Sequence, residues 1–534
     1  MKKLLSWLDN NILTILSFFL ITFIPLYPKL PLFEAITGYI VRVRLEDIFV
    51  FVAFLIFLIQ VIRKKATFKS IIFWPMVIYI IIGLLSSLSA IFITKTVPLD
   101  KIHIIKLFLH WVRRIEYFSI FFIFFNGIKN IREAKKILFL SLLVVLLVSI
   151  YGYGQKYLYW PVYSTMNREF SKGIRLYLTE HARVPSTFGG HYDLAAFLVI
   201  FLTTFAGIFL YLKKKILKLL FFSVFLAAYW LLILTASRTS FIAYLVAITV
   251  LLLIMSLKKG FKWGIPRWTL LLTFSLLIMI FFGDLSDRFA HILGMPEIKK
   301  KLKLDSLIRP IRPKPPNAIN LTDDIALVMD VTDERPVADK PVTRGKELPP
   351  DVYEDIPDGY NEATESATIS AELEATLAAE LKPKPRTFSE NAYKYGLSTA
   401  IRFDALWPWA IEGFKRNPLL GSGYSTLSKT SVGQFTEAES TDNDYLRTLG
   451  ETGLLGFITF FGIIFITLRL SIEKIRIKTD PIIFAFLASY IAFTIGLLIN
   501  ALYIDVFVAS KIAFTFWSLT GVLLALISNN FKAK

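Results

Sequence analysis

The chain has 534 residues, of which 55% are hydrophobic and 15% aromatic, and its mean hydropathy is +0.58. Soluble domains are usually about 45–50% apolar, so this composition excludes a soluble globular enzyme and a disordered scaffold. The chain contains no cysteine, which excludes disulfides and thiolate metal sites. Its net charge of +19 is distributed unevenly along the sequence.

Apolar runs recur along the chain, and each predicts a transmembrane helix because a span needs about 20 apolar residues. The first run follows Met1-Lys2-Lys3 and is not followed by a small-residue cleavage site, so we interpret it as a retained span. The sequence predicts about twelve spans, at residues 11–28, 47–62, 71–94, 104–125, 137–154, 191–212, 217–235, 239–257, 268–283, 451–468, 482–500 and 503–527.

Basic residues are concentrated in alternate loops between these spans. Four Lys or Arg residues occur in each of five loops, at 63–69, 129–136, 213–218, 258–267 and 469–478. Positive charge accumulates on the cytoplasmic side of a membrane protein. The pattern therefore predicts a multi-pass membrane protein in which these loops and both termini are cytoplasmic.

The predicted outer segments include two long ones, at about 155–190 and 284–450. The chain therefore divides into residues 1–283 with helices 1–9, the extracytoplasmic loop 284–450, and residues 451–534 with helices 10–12. Within the loop, residues 319–380 hold sixteen acidic and four basic residues, a net charge of −12, and almost no aromatic side chains. Such a composition buries too little apolar surface to fold firmly, so we interpret 319–380 as a low-complexity insert without catalytic residues.

Polar motifs lie where the chain meets the predicted outer face. Two of them, Arg183–Gly190 (RVPSTFGG) and Thr235–Thr239 (TASRT), flank the sixth and seventh spans. The others, Pro418–Gly423 (PLLGSG) and Asp442–Gly456 (DNDYLRTLGETGLLG), precede the tenth span. Arg402 and Trp407 lie just before the third motif.

In the order and placement of these motifs the chain resembles the O-antigen ligase and O-antigen polymerase superfamily. The resemblance implies an all-α, GT-C-like integral membrane fold with a large extracytoplasmic loop between helices 9 and 10. It implies a glycosyltransferase of the bacterial cytoplasmic (inner) membrane that moves a glycan from a polyprenyl (undecaprenyl) diphosphate carrier to a sugar acceptor. Its expected partners are this donor, the acceptor and the lipid bilayer, and not nucleic acid. Many ligases of this family place His before the Asn of the fourth motif. Asp442 stands there in this chain and favours the polymerase type.

The implied chemistry assigns roles to charged residues of the motifs. A departing diphosphate needs charge neutralisation, which the guanidinium fork of Arg provides. Arg183 and Arg238 are therefore the leading candidates for diphosphate ligands, followed by Arg402. An acceptor hydroxyl needs a general base, for which Asp442 is the leading candidate. Glu451 is a weaker candidate that is equally suited to cap the tenth helix.

Further residues complete the predicted site. Asn443 and Tyr445 belong to the fourth motif, His191 follows Gly189-Gly190, and Lys511 is an ionisable residue inside the last span. Lys511 is equally suited to a structural partner. The sequence lacks the spacings typical of metal ligands, so we expect neither a metal nor a cofactor.

Three functions remain open at the sequence level. The first is a polymerase that extends a growing glycan with lipid-linked repeat units. The second is a ligase that moves a finished glycan to lipid, a wall polymer or protein. The third is a flippase or other transporter of lipid-linked oligosaccharide, since twelve spans suit transporters as well.

Overall fold

The computed structural model describes most of the predicted membrane-embedded part of the chain. The described residues are 2–36, 42–166, 168–178, 182–281, 328–329, 397–427, 440–475 and 480–528. The chain divides into two units, one formed by Met1–Met329 with Leu406–Lys534, and the other by Asp330–Ala405. The predicted acidic insert, 319–380, lies outside the described residues apart from Val328–Met329.

The described residues are mainly helical. The helices are α1 (Lys2–Leu26), α2 (Leu45–Ile62), α3 (Phe73–Phe92), α4 (Lys101–Gly127), α5 (Ile131–Leu158), α6 (Arg168–Ser171), α7 (His191–Tyr211), α8 (Lys215–Leu234), α9 (Arg238–Lys259), α10 (Phe261–Phe281), α11 (Leu397–Ile401), α12 (Trp407–Arg416), α13 (Asp444–Ile475), α14 (Pro481–Asn500) and α15 (Ser510–Ser528). A π-helical turn, Arg402–Leu406, joins α11 to α12.

Ten of the described helices are long and apolar enough to cross a membrane. They are α1, α2, α3, α5, α7, α8, α9, α13, α14 and α15. The all-α membrane class predicted from the sequence is therefore confirmed. The fourth and ninth predicted spans coincide with α4 and α10, which are helical but not among the ten. In the middle of α4 lie Arg113, Arg114 and Glu116, which lower its apolar character.

The helices separate into central and peripheral ones. Helices α7 and α15 are almost entirely buried, whereas only 28% of the apolar stretch of α1 and of α2 is buried, as suits a helix that faces lipid. Close helix contacts in the centre use small residues. At Gly496 of α14, a Cβ atom would lie 2.9 Å from the carbonyl oxygen of Ala243 in α9. The glycine therefore sets how closely α9 and α14 approach.

Short strands, which the sequence pattern did not predict, lie in two of the loops. Strands β1 (Pro31–Glu34) and β2 (Arg42–Arg44) pair antiparallel, and Arg42 Nε donates to Glu34 Oε1 at 3.0 Å. Strands β3 (Tyr177–Leu178) and β4 (Val328–Met329) pair parallel. Each strand is too short for the apolar alternation that predicts strands to be visible in the sequence.

The bundle has two chemically different ends. At one end Arg63 Nη2 lies 2.8 Å from Asp9 Oδ2, and Lys129 Nζ lies 3.3 Å from Asn11 Oδ1. These contacts bring together two of the basic loops that the sequence predicts to be cytoplasmic, and we call this the basic end. At the other end of α5, Gln155 Nε2 donates to the Ser186 carbonyl oxygen at 3.0 Å. This second end contains the predicted motifs, and we call it the site end.

Candidate functional site

The first two sequence motifs are neighbours at the site end. The Val184 N–H donates to the carbonyl oxygen of Leu234 at 3.2 Å, which holds the RVPSTFGG segment beside the last turn of α8. The TASRT motif follows Leu234 directly and leads into α9, whose first residue is Arg238. The segments that carry Arg183 and Arg238 are therefore brought together by a main-chain contact.

The fourth motif joins them through the end of α14. Asn500 is fully buried, and its Nδ2 donates to Ser240 Oγ of α9 at 3.1 Å. The next residue, Ala501, accepts a hydrogen bond from the Asp444 N–H at 2.9 Å. Asn443 Nδ2 donates to the Leu502 carbonyl oxygen at 3.1 Å. The start of α9 and the start of α13 are thus both held against the same turn, residues 500–502 at the end of α14.

Arg183 is placed by two aromatic side chains at the start of α7. Its Nη1 lies 2.7 Å from His191 Nε2 and 3.0 Å from the Tyr192 hydroxyl. Since the guanidinium group can only donate, His191 accepts through Nε2 and carries its proton on Nδ1. Arg183 is 4% exposed. Arg183 and His191, which were predicted separately, therefore form a single hydrogen-bonded unit.

Arg238 lies at the N-terminus of α9 and is half-buried. The N-terminus of a helix as long as α9 favours a bound anion. Its first N–H groups point toward the anion, and the helix dipole has its positive end there. Arg238 therefore adds its charge to a place that already favours an anion. The third predicted arginine, Arg402, begins the π-helical turn and is buried; it belongs to the second unit.

Asp442 differs from its neighbours in the fourth motif. It is half-buried and has a left-handed backbone conformation, with φ of 51°. Asn443 caps α13, since its Oδ1 accepts from the Leu446 N–H at 2.9 Å. Tyr445 donates its hydroxyl to the Leu498 carbonyl oxygen at 2.7 Å. The structure thus uses Asn443 and Tyr445 to fix the loop and leaves Asp442 at the surface of the site.

Asp505, in the segment between α14 and α15, is the hydrogen-bonding centre of this loop. It is 8% exposed and accepts from the N–H groups of Thr441 and Asn443, each at 3.1 Å. It also accepts from Ser440 Oγ at 2.9 Å and from Arg447 Nη1 at 2.8 Å. A buried carboxylate is stable when its oxygens are paired in this way.

A chain of charges runs from Asp505 into the bundle. Arg447 Nε lies 3.3 Å from Glu451 Oε1, and Glu451 Oε2 lies 3.7 Å from Arg114 Nη2 of α4. All four side chains are buried. Together with Asp444, Arg114, Arg447 and Glu451 line a small polar pocket beside Phe507. Glu451, predicted as a weaker candidate base or substrate contact or as a helix cap, is thus a member of an ion-pair network that joins α13 to α4 and to Asp505.

The third and fourth motifs are joined by main-chain hydrogen bonds at and beside their glycines. The Ser422 N–H donates to the Gly450 carbonyl oxygen at 2.8 Å, and the Leu454 N–H donates to the Pro418 carbonyl oxygen at 2.8 Å. Gly453 has φ of 66° and interrupts α13. A Cβ atom there would lie 2.4 Å from the main chain of Leu419. The tenth predicted span therefore begins earlier than predicted, at Asp444, and has a kink where the PLLGSG turn contacts it.

Lys511 makes main-chain contacts at the start of α15. Its Nζ donates to the carbonyl oxygens of Tyr27 at 2.6 Å, Thr187 at 2.7 Å and Pro25 at 3.2 Å. The side chain is 1% exposed. Three acceptors match the three protons of an ammonium group, so this geometry supports the structural alternative for Lys511.

Sequence reasoning missed Arg447 and the Lys29–Glu46 ion pair as parts of the site end. Arg447 stands four residues before Glu451, a helical ion-pair spacing that could have found it. Asp505 stands out in the sequence as an ionisable residue near the last span, but its contacts with the 441–443 loop were not predicted. Burial lowers the pKa of the Lys29 ammonium group, while Glu46 raises it. A buried Lys must have such a partner.

Among the described residues, no group of three or more His, Cys, Asp or Glu side chains is arranged to hold a metal ion. No protein-family model matches the chain, and no curated protein matches it. The functional argument therefore rests on the geometry of the site end and on the sequence motifs.

Proposed function

We propose that the protein is a polyprenyl-diphosphate-dependent glycosyltransferase of the outer face of the bacterial cytoplasmic membrane. The observation that carries the proposal is the convergence of the motifs at the site end. Segments that are up to about 320 residues apart in sequence, from Arg183 to Asp505, are joined there by hydrogen bonds. Two arginines and a half-buried carboxylate are the groups that glycan transfer from a diphosphate requires.

In the proposed reaction an acceptor sugar hydroxyl attacks the anomeric carbon of the carrier-linked glycan. The new bond joins the acceptor oxygen to that carbon, and the bond between the carbon and the diphosphate oxygen breaks. Its electron pair leaves with the diphosphate, whose growing negative charge is stabilised by Arg183 and Arg238. Asp442 accepts the proton of the acceptor hydroxyl. The His191 contact keeps Arg183 oriented toward the site.

The acceptor distinguishes the two enzyme alternatives. A polymerase transfers the growing chain to another lipid-linked repeat unit, whereas a ligase transfers the finished chain to lipid, a wall polymer or protein. Asp442 favours the polymerase, because it stands where many ligases of the similar family have His. We also propose that the fold is a GT-C-like bundle. In this bundle α4 and α10 cross the membrane as well, and both termini are cytoplasmic.

A transporter of lipid-linked glycan is the competing function from another class. Transporters bind substrate near the middle of the membrane, commonly at broken helices. The Gly453 break in α13 lies nine residues after Asp444, at the site end of that helix. The residues assigned to the reaction, Arg183, Arg238 and Asp442, also belong to the segments that meet at this end, which supports surface chemistry over transport.

The experiment compares glycans in the host. The gene is deleted and complemented with the wild type, Arg183→Ala, Arg238→Ala and Asp442→Ala, and the membrane level of each variant is measured. Arg63→Ala at the basic end is the matched control, since it removes an exposed arginine. We expect the deletion to leave single repeat units, the three site variants to fail to restore long chains, and the control to restore them.

Two results would change the proposal. Long chains that accumulate on the polyprenyl carrier after deletion would identify a ligase in place of a polymerase. Full complementation by all three site variants at wild-type membrane levels would contradict the enzymatic proposal and favour transport.

A further inference from the structure

The two carboxylates Asp442 and Asp505 are joined by one hydroxyl group. Ser440 Oγ lies 2.5 Å from Asp442 Oδ1 and 2.9 Å from Asp505 Oδ2. A serine hydroxyl has one proton and can donate it to one carboxylate at a time. The negative charge of Asp505 is therefore held one side chain away from Asp442.

Asp505 also fixes the main chain on both sides of Asp442. Its Oδ2 accepts from the Thr441 N–H and its Oδ1 accepts from the Asn443 N–H, each at 3.1 Å. These two residues flank Asp442, which is in the left-handed conformation with φ of 51°. That conformation is uncommon for a residue with a side chain. The two hydrogen bonds stabilise it and so determine where the Asp442 carboxylate lies.

Charged groups of the neighbouring elements surround this pair. Asp505 itself belongs to the segment 503–509. The charged side chains nearest to it lie in α13 and are Asp444, Arg447 and Glu451. Helix α4 adds Arg114 behind Glu451. Arg447 touches Asp505 directly at 2.8 Å and offsets part of its charge. Removing Asp505 or Arg447 therefore changes the field at Asp442 in opposite directions.

We propose that Asp505 is a positioning residue for Asp442, which it holds in place through the flanking main chain and makes a better proton acceptor through its charge. This inference rests on the proposed function. In the transfer step the proton moves from the acceptor hydroxyl to Asp442, and Asp505 neither gains nor loses a proton. A nearby negative charge favours the protonated form of a carboxylate, and this is how Asp505 contributes.

The test measures the pH profile of glycan transfer by the full-length protein in host membranes, with extracted polyprenyl-linked glycan as the probe. Activity requires charged Asp442, so it is lost as the pH falls through the pKa of that group. Asp505→Asn keeps the side-chain size and removes the charge. Arg447→Gln keeps an amide donor for Asp505 and removes the positive charge.

We expect the two variants to move the acidic limb of the profile in opposite directions. The limb moves to lower pH in Asp505→Asn and to higher pH in Arg447→Gln, each by about half a pH unit or more. The rate on the plateau falls about tenfold in Asp505→Asn, because the loop that carries Asp442 is less well fixed. Arg447→Lys, which keeps the charge, leaves the limb near its wild-type position.

A purely structural role would give a different result. If both variants lose rate with the limb unmoved, or if both limbs move in the same direction, the positioning inference is overturned. Should Asp505→Asn fail to accumulate in the membrane, Arg447→Gln and Arg447→Lys carry the test. A limb that does not move to higher pH in Arg447→Gln, or that moves equally in Arg447→Lys, overturns the inference.

Asp442→Asn separates this inference from the proposed function. If Asp442→Asn transfers glycan at the wild-type rate, Asp442 is not the base and the proposed mechanism fails together with the inference. If Asp442→Asn is inactive while the limbs of the other variants stay unmoved, the proposed function stands and Asp505 is a structural residue.

Discussion

The basic end and the site end use the same kinds of charged side chain in opposite ways. At the basic end, Arg63 and Asp9 form an ion pair with side chains that are 47% and 26% exposed. At the site end, the side chains of Arg447 and Asp505 are 6% and 10% exposed. Exposed pairs contribute little to stability, whereas breaking a buried pair leaves an uncompensated charge. The comparison indicates that the charged side chains of the basic end face solvent, whereas those of the site end fix local geometry.

The largest expected effect is the difference in accessibility between the two ends. The chain has no cysteine, so a single introduced cysteine is a unique label site. Lys69 and Lys101 are exposed and lie before and after α3. We expect a membrane-impermeant maleimide to label Lys101→Cys on intact cells, and Lys69→Cys only after lysis. The reverse pattern would contradict the predicted orientation.

The next effect concerns the buried carboxylate of the site end. Asp505→Ala removes the acceptor of four hydrogen bonds and takes from buried Arg447 one of its two carboxylate partners. We expect the free energy of unfolding to fall by about 3–5 kcal/mol, measured by denaturant titration in detergent. If the free energy of unfolding falls by no more than it does when an exposed ion pair is removed, the network is hydrated and not buried.

A smaller effect is expected at the kink of α13. Gly453→Ala places a Cβ atom against the main chain of Leu419 at a positive φ, and we expect it to lower the free energy of unfolding by about 1–3 kcal/mol. Gly462 in the same helix has open space around a new Cβ atom and is the matched control. Gly462→Ala should stabilise the helix by up to about 1 kcal/mol. Equal effects of the two substitutions would contradict the assigned kink.

The smallest effect is expected for an ion pair of the basic end. Lys135 Nζ lies 2.6 Å from Asp480 Oδ2, with both side chains about a third exposed. Lys135→Ala should lower the free energy of unfolding by less than about 1 kcal/mol, because solvent and salt screen the pair. The same titration measures it, and a loss as large as that of Asp505→Ala would remove the contrast between the two ends.

The membrane-spanning part was predictable because a helix that crosses lipid must be apolar over about 20 residues, and such runs are visible in the sequence. The run at 191–212 coincides with α7 almost throughout, whereas the run at 503–527 begins seven residues before α15, which starts at Ser510. The start of α13 was predicted at residue 451 and lies at Asp444, because the turn before Gly453 is polar and is stabilised by contacts with other segments. Polar residues at the end of a span carry no apolar signal, so the sequence pattern could not include them.

The site was predictable as a set of segments but not as a set of contacts. Arg183 and His191 were each singled out, yet their hydrogen bond depends on the fold of the chain between them. The links from Asp505 to the 441–443 loop cross about 60 residues of sequence and two helices. Such pairs follow from how α13, α14 and α15 pack. The alternation and spacing rules that predict single elements contain no information about them.

The interruption at Gly453 has a consequence for how the protein is assembled in the membrane. A helix inserted into lipid normally satisfies its own main chain, but here the N–H groups of Leu454 and Leu455 donate to carbonyl oxygens of Pro418 and Leu419. Those acceptors belong to a segment made about 35 residues earlier. The turn of α13 at the site end is therefore completed only when that segment docks. We expect its assembly to have two stages, insertion of the apolar part and then closure by the segment that precedes it in the chain.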